Sequence, residues 1–222
     1  MNKIISGVVF LCLVSYLFFG LQSSFALREK IATEPKEFTY FFDGMSFLKT
    51  YYYMKQGLDF YTGNYEAIIR DGRRGSPPQY ISGWRLPTVF YIWDLLALEG
   101  EYIWYLFLFL VSSVVWGAYD TLAARFGLIS GVLSSVLLSF YFYYPLATEH
   151  FLLVEWWGVI ACMWGVIFFL KGDDPKGICL FLIASLIREF FVIPLFIVTI
   201  LFLIQKKRML TMYGAASLVG FS

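Results

Sequence analysis

"GICLFLIASLIREFFVIPLFIVTILFLI", residues 177–204, decides how this chain folds. A membrane span takes about 20 predominantly apolar residues, so a single helix over the whole stretch overshoots a bilayer. "IRE" at 187–189 interrupts it, and two adjacent charges at mid-bilayer are costly. Two short helices, 177–187 and 190–204, meeting at Arg188–Glu189 satisfy both constraints.

Other apolar runs lie near 4–26, 102–119, 128–145 and 151–170. The composition agrees with them. Hydrophobic residues make up 59% of the 222, aromatic residues 21% and charged ones only 15%. Soluble domains carry more charge than this. The expected fold class is therefore all-α, a polytopic transmembrane helix bundle forming a single membrane domain over 1–222. A large outer loop, 27–101, is expected to contain juxtamembrane amphipathic helices. The final "LTMYGAASLVGFS" starts a further apolar segment, so the chain is expected to be the N-terminal part of a longer protein.

The N-terminal "MNKIISGVVFLCLVSYLFFG" has two readings. It can be a signal peptide, with Lys3 in its n-region and "SFA" before Leu27 as a weak cleavage site. It can equally be an uncleaved first span. The length of the apolar run and the further spans downstream favour the second reading.

Charge sets the expected orientation through the positive-inside rule. With the N-terminus in the cytoplasm, the cytoplasmic ends hold Lys3, Arg125, Lys171, Lys176, Lys206, Lys207 and Arg208. The short outer loops then hold only Arg188. The remaining basic residues fall in the long outer loop, where the rule has little force, although Arg28 and Lys30 beside the first span pull the other way. A multi-pass protein of a bacterial inner membrane fits best, with the endoplasmic reticulum as the alternative.

Several functions are excluded early. A net charge of +1 gives no electrostatic reason to bind nucleic acid. Cys12, Cys162 and Cys179 all sit in apolar runs and read as small hydrophobes, not as a disulfide or metal set. His150 is the only histidine, so no multi-histidine metal site can form. Phosphate-loop, dinucleotide and HExxH patterns are absent, which argues against chemistry driven by nucleotide hydrolysis.

Within the long loop, residues 41–52 have the period of an amphipathic helix. Phe41, Met45, Leu48 and Tyr52 share one face, while Asp43, Ser46 and Thr50 lie opposite. Tyr51, Tyr52 and Tyr53 suit a headgroup-level aromatic belt. "LPTVFYIWDLLAL" at 86–98 is too short to span and contains Asp94, so a helix lying on or dipping into the membrane is expected. Between the two, "TGNYEAIIRDGRRGSPPQYISGW" carries the Gly, Pro, Asn and Ser of irregular backbone.

The ionisable residues gather at one side. Asp43 is a candidate to meet a polar group whose tail stays in lipid; a solvated acid or a helix N-cap is its plainer role. Arg85 suits phosphate oxygens, or snorkels to headgroups. Arg70, Arg73 and Arg74 form a small basic cluster that fits a solvated loop or a lipid phosphate. Glu149 and His150 fall at the outer end of two spans, at the depth of Asp43. Glu155 lies further in, where an acid marks a functional site or pairs with a base such as Arg188.

Together these features resemble the N-terminal half of GT-C class glycosyltransferases, polytopic enzymes that use polyprenyl-phosphate sugars. Protein O-mannosyltransferases and lipid A aminoarabinose transferases are examples. Asp43 in "YFFDGMSFL" takes the place of the class's acid after the first span. "WRLPTVFYIWDLLAL", with Arg85 and Pro87, resembles the segment that closes the outer loop, with one proline instead of two. "PLATEHFLLVEWW" resembles the acidic stretch after a later span, and "LIREFFVIPLF", with Arg188 and Pro194, the arginine-bearing turn between short helices.

The resemblance implies transfer of a sugar, with inversion, from a polyprenyl-phosphate-linked donor to an acceptor hydroxyl on a lipid, protein or glycan. Asp43 is then the general base, with Glu149 beside it among the catalytic candidates. Arg85, Arg188 and Arg74 hold the donor phosphate, and His150 and Glu155 line the site. No metal ligand set is implied, since Asp43 lacks a paired acid; a divalent cation is compatible with the class. Two other readings stand beside it: a transporter or flippase subunit with Glu155 on its path, and a non-catalytic membrane scaffold.

Overall fold

A computed structural model describes residues 7, 10–11, 13–15, 43–67, 87–98, 100–205 and 208–219. Among them the structure is all-helical, without strands. The helices are α1 (Asp43–Lys55), α2 (Phe60–Tyr65), α3 (Thr88–Leu95), α4 (Gly100–Phe126), α5 (Leu128–Ala147), α6 (Val154–Lys171), α7 (Asp174–Ile187), α8 (Val192–Ile204) and α9 (Arg208–Val219). Two 3-10 turns interrupt the series, Glu149–Leu152 between α5 and α6 and Glu189–Phe191 between α7 and α8. The described positions between 7 and 15 are helical, and Phe10 sets its ring 4.7 Å from that of Trp116. The remainder of the expected span at 4–26 lies outside the described residues.

Tyr102–Phe126, Leu128–Ala147 and Val154–Lys171 are long and apolar enough to cross a membrane. The stretch 177–204 is divided, as its interruption predicts, into α7 and α8. The helices differ from the expected limits for local reasons. α4 continues past 119 because its polar residues are answered: Asp120 pairs with Lys171 at 3.2 Å, and Thr121 donates to Gly117 O at 2.7 Å. α6 starts at Val154 because 149–152 winds as a 3-10 turn behind the extended Thr148. α7 starts at Asp174, with Asp173 accepting from the Lys176 N–H as N-cap and Pro175 in the first turn.

α4 and α5 are joined by Gly127 alone, at φ 91° and ψ 166°, a region essentially reserved for glycine that costs other residues about 1–3 kcal/mol. Gly131 then lets the two helices touch. A Cβ there would stand 2.6 Å from Ala123 Cβ and 2.9 Å from the Tyr119 carbonyl oxygen. Three of the four serines of α5 answer nearby backbone, whereas the buried Ser139 hydroxyl has no hydrogen-bond partner among the described residues. Ser130 donates to Phe126 O, and Ser134 and Ser135 donate to Gly131 O. Bonded this way, a hydroxyl can sit in an apolar helix without an outside partner.

α1, α2, α3 and the 149–152 turn form a cap over the end where α5 finishes and α6 begins. α1 packs on α2, on α3 and on the turn; α3 also touches α7. Rings fill the junction. Trp93 meets Tyr51, Phe90 and Trp157, Phe90 meets Phe47 and Phe60, and Phe107 meets Trp157 and Phe151. All but Trp157 are at most 3% exposed.

This packing revises the expectation for α1. The helix runs Asp43–Lys55, and its buried side chains include Phe47, Leu48, Thr50 and Tyr51, which point to more than one side. Thr50, expected on a polar outer face, is fully buried; its hydroxyl lies 2.9 Å from Ser46 O and 3.3 Å from Asn64 Oδ1. The reason is α2, which covers that side. Tyr51 is likewise a core residue, donating to Leu98 O at 2.7 Å, and not part of a surface belt. In α3, Val89, Phe90 and Trp93 are buried while Asp94 is exposed. α3 is a helix too short to span, as expected, with Tyr91 and Leu95 exposed opposite its buried side chains.

Asp59 caps α2. Its carboxylate accepts from the Thr62 side chain and from the Thr62 and Tyr61 N–H groups, which holds it below the usual carboxylate range. A lowered folded-state value stabilises the cap above the unfolded value, and this contribution is lost as pH falls through the folded one.

Replacing Gly131 by Ala is expected to destabilise the protein by about 1–3 kcal/mol through overpacking. This outweighs the gain of about 1 kcal/mol that Ala ordinarily brings to a helix interior. Thermal unfolding in detergent reads the sign: the midpoint should fall, and an unchanged or raised midpoint is incompatible with so close an α4–α5 contact.

Candidate functional site

The break in 177–204 is built around Arg188. Its backbone is extended, at φ −150° and ψ 125°, so α7 cannot continue through it. The chain is still held, because Arg188 N–H donates to Ala184 O and Arg188 O accepts from the Phe191 N–H. The guanidinium reaches two carboxylates. Nε lies 3.2 Å from Glu155 Oε1, and Nη1 donates to Glu189 Oε1 at 2.7 Å. The Arg188 side chain is only 11% exposed and that of Glu155 26%, so the pair is largely withdrawn from solvent. The Phe190 ring lies 5.5 Å from the guanidinium carbon, within cation–π range.

Each charge occupies the helix end that favours its sign. Glu155 is in the first turn of α6, Glu189 opens the 3-10 turn, and Arg188 follows the last turn of α7. Acids are stabilised at helix N-termini and bases at C-termini. Gly158, one turn below Glu155, makes the approach possible: a Cβ there would collide with the Phe191 ring. Ala161 and Ala184 complete this small-residue seat for Phe191.

A second group lies at the same end of the helices. Thr148 closes α5, and its hydroxyl donates to Tyr144 O at 2.8 Å. The same oxygen lies 2.8 Å from His150 Nδ1 and accepts from the His150 N–H. His150 Nε2 stands 3.0 Å from the Tyr144 hydroxyl, with the two rings 4.5 Å apart. Neither Tyr144 nor Thr148 stood out in the sequence. The signal was there in Y-x-x-x-T-x-H: Tyr144 and Thr148 are one helical turn apart, and the histidine follows the helix end.

The structure thus brings Glu155, Arg188 and Glu189 together, and places Glu149 and His150 on the turn that packs against α1. Asp43 is the first residue of α1. The side chains of Asp43 and Glu149 lie outside what is described, as do Arg85, Arg74, Arg70 and Arg73. Among the described residues no three His, Cys, Asp or Glu groups are placed to hold a metal ion. Compared with family models, with curated proteins and with solved structures, the chain gives no match.

The pairing of Glu155 with Arg188 is the structural role that the sequence offered for Glu155 beside the functional one. Arg188→Ala is expected to cost about 3–5 kcal/mol by leaving Glu155 withdrawn from water and uncompensated, whereas Glu155→Leu with Arg188→Met together should recover most of that loss. A double-mutant cycle on unfolding midpoints checks it; simple additivity of the two single losses is the contrary result.

Proposed function

We propose that the chain is a membrane glycosyltransferase of GT-C type, moving a sugar from a polyprenyl-phosphate-linked donor to an acceptor hydroxyl. The observation that carries the reading is the packing of α1, with Asp43 at its start, on the turn that holds Glu149 and His150. That turn lies between α5 and α6, at the end of the helices where Glu155, Arg188 and Glu189 also lie. A donor whose tail runs in lipid presents its phosphate and sugar at such an end.

In this reading the helices form a polytopic bundle of a bacterial inner membrane, with the N-terminus cytoplasmic and the cap on the outer side. Asp43 takes the proton of the acceptor hydroxyl as that oxygen attacks the anomeric carbon from the face opposite the phosphate. The carbon–oxygen bond to the donor phosphate breaks, and the phosphate leaves with the lipid. Glu149 orients the acceptor, which is a lipid, protein or glycan.

The cationic role is divided. Arg188 already engages two carboxylates, so its cluster carries an excess of negative charge and attracts a phosphate poorly. We therefore assign it to positioning α6 against the α7–α8 turn. Arg85 and Arg74 supply the positive charge for the leaving phosphate. A midplane transport path fits less well, because the described Asp, Glu, Lys and Arg side chains of α5 to α8 lie near helix ends rather than at their centres.

Sugar transfer from a panel of radiolabelled polyprenyl-phosphate sugars, by the full chain in proteoliposomes, tests the proposal. Wild type should transfer from one donor, and Asp43→Asn at matched protein level should lose about a hundred-fold or more in rate. Transfer that survives Asp43→Asn removes Asp43 as the base, and absence of transfer from every donor removes the enzyme reading.

A further inference from the structure

The group formed by Thr148, His150 and Tyr144 has a defined proton arrangement. A hydroxyl has one proton to give. Thr148 spends it on the Tyr144 carbonyl, which can only accept. The Thr148 oxygen is then an acceptor, both for the His150 N–H and for Nδ1. In the neutral ring Nδ1 therefore carries the hydrogen, and Nε2 is left as a lone-pair acceptor pointing at the Tyr144 hydroxyl 3.0 Å away. The ring is oriented at one nitrogen and basic at the other, an arrangement that suits a general base.

The donor to Nε2, the Tyr144 hydroxyl, is placed for access from outside. Tyr144 is 53% exposed. It ends a row of outward-facing α5 side chains, Ile129, Leu133, Leu137 and Phe140, spaced three to four residues apart. A helix 20 residues long with that row toward lipid puts its last turn at the level of headgroups.

We propose that Tyr144 and His150 form a proton relay serving a hydroxyl-bearing lipid headgroup at the capped end. A headgroup hydroxyl bound to the Tyr144 oxygen donates to it while Tyr144 donates to Nε2. An imidazole is too weak a base to leave a free oxyanion, so the proton passes along this chain only as the headgroup oxygen bonds to an electrophilic carbon and that carbon's leaving group departs with its electron pair. The products are the bonded headgroup, the anionic leaving group and an imidazolium whose new Nε2–H donates back to Tyr144. In the proposed transfer the carbon is the anomeric carbon and the leaving group the lipid phosphate, and to that extent the relay rests on that reading.

The test uses the full chain in lipid nanodiscs and two readouts that need no substrate. Because His150 is the only histidine, ring-labelled ¹⁵N spectra report it without overlap. At alkaline pH the neutral ring should be protonated at Nδ1, and Thr148→Val should shift the population toward Nε2. A neutral ring protonated at Nε2 in wild type overturns the proposal.

The second readout is labelling by an aryl sulfonyl fluoride, in which the phenol oxygen bonds to sulfur, fluoride leaves and the base takes the proton. Tyr144 should react about a hundred-fold faster than Tyr141, which lies on the same helix at 47% exposure. His150→Gln should remove that difference. Equal rates in wild type, or a rate at Tyr144 untouched by His150→Gln, overturn it. Failure of sugar transfer with both readouts positive sinks the proposed enzyme and leaves the relay.

Discussion

Arg188 holds this structure at the place where an ordinary helix would have run on. Its extended backbone ends α7, and its guanidinium ties the resulting gap to α6 through Glu155 and to the next turn through Glu189. An isolated charge so far from water would be prohibitive. Two carboxylates, both at helix N-termini, make the position tenable. The positions of α7 and α8 against α6 follow from it, and Gly158 is the concession in side-chain size that lets the partners meet.

A different kind of bond joins the cap to the helices. Trp93 meets Tyr51, Phe90 and Trp157 edge to face, a geometry worth about 0.5–1.5 kcal/mol per pair beyond the area buried, and Phe107 tilts against Trp157. Polar tips here and on the neighbouring Trp104 go to carbonyls, although the Trp93 N–H is buried without a hydrogen-bond partner among the described residues. Trp104 donates to Leu146 O, Trp157 to Phe151 O and Tyr51 to Leu98 O. The Leu146 carbonyl stands in the last turn of α5, where carbonyls lack an intrahelical donor.

What the sequence made legible followed from length and cost. The division of 177–204 could be read because a charged pair has few permitted depths, and the partner of Glu155 could be named because a withdrawn acid needs a base. The faces of α1 could not be read this way. Periodicity assigns one apolar side and leaves Thr50 on the other, but a short second helix from residues 60–65 covers Thr50, and no local signal announces that a neighbour will arrive. The Tyr144–His150 pair was hidden for a related reason. Its geometry depends on where α5 stops, and Thr148 sets that by turning its hydroxyl back on the helix.

The α4–α5 hairpin bears on how such a chain is made. Gly127 alone links two helices, and Gly131 lets them touch within a turn of that link. Both are long and apolar enough to cross a bilayer; were they to do so, no loop between them would have to be carried across separately, and the pair would enter as one unit. The passage of α5, with its four serines, would then be coupled to that of α4, and the serines could be retained for packing.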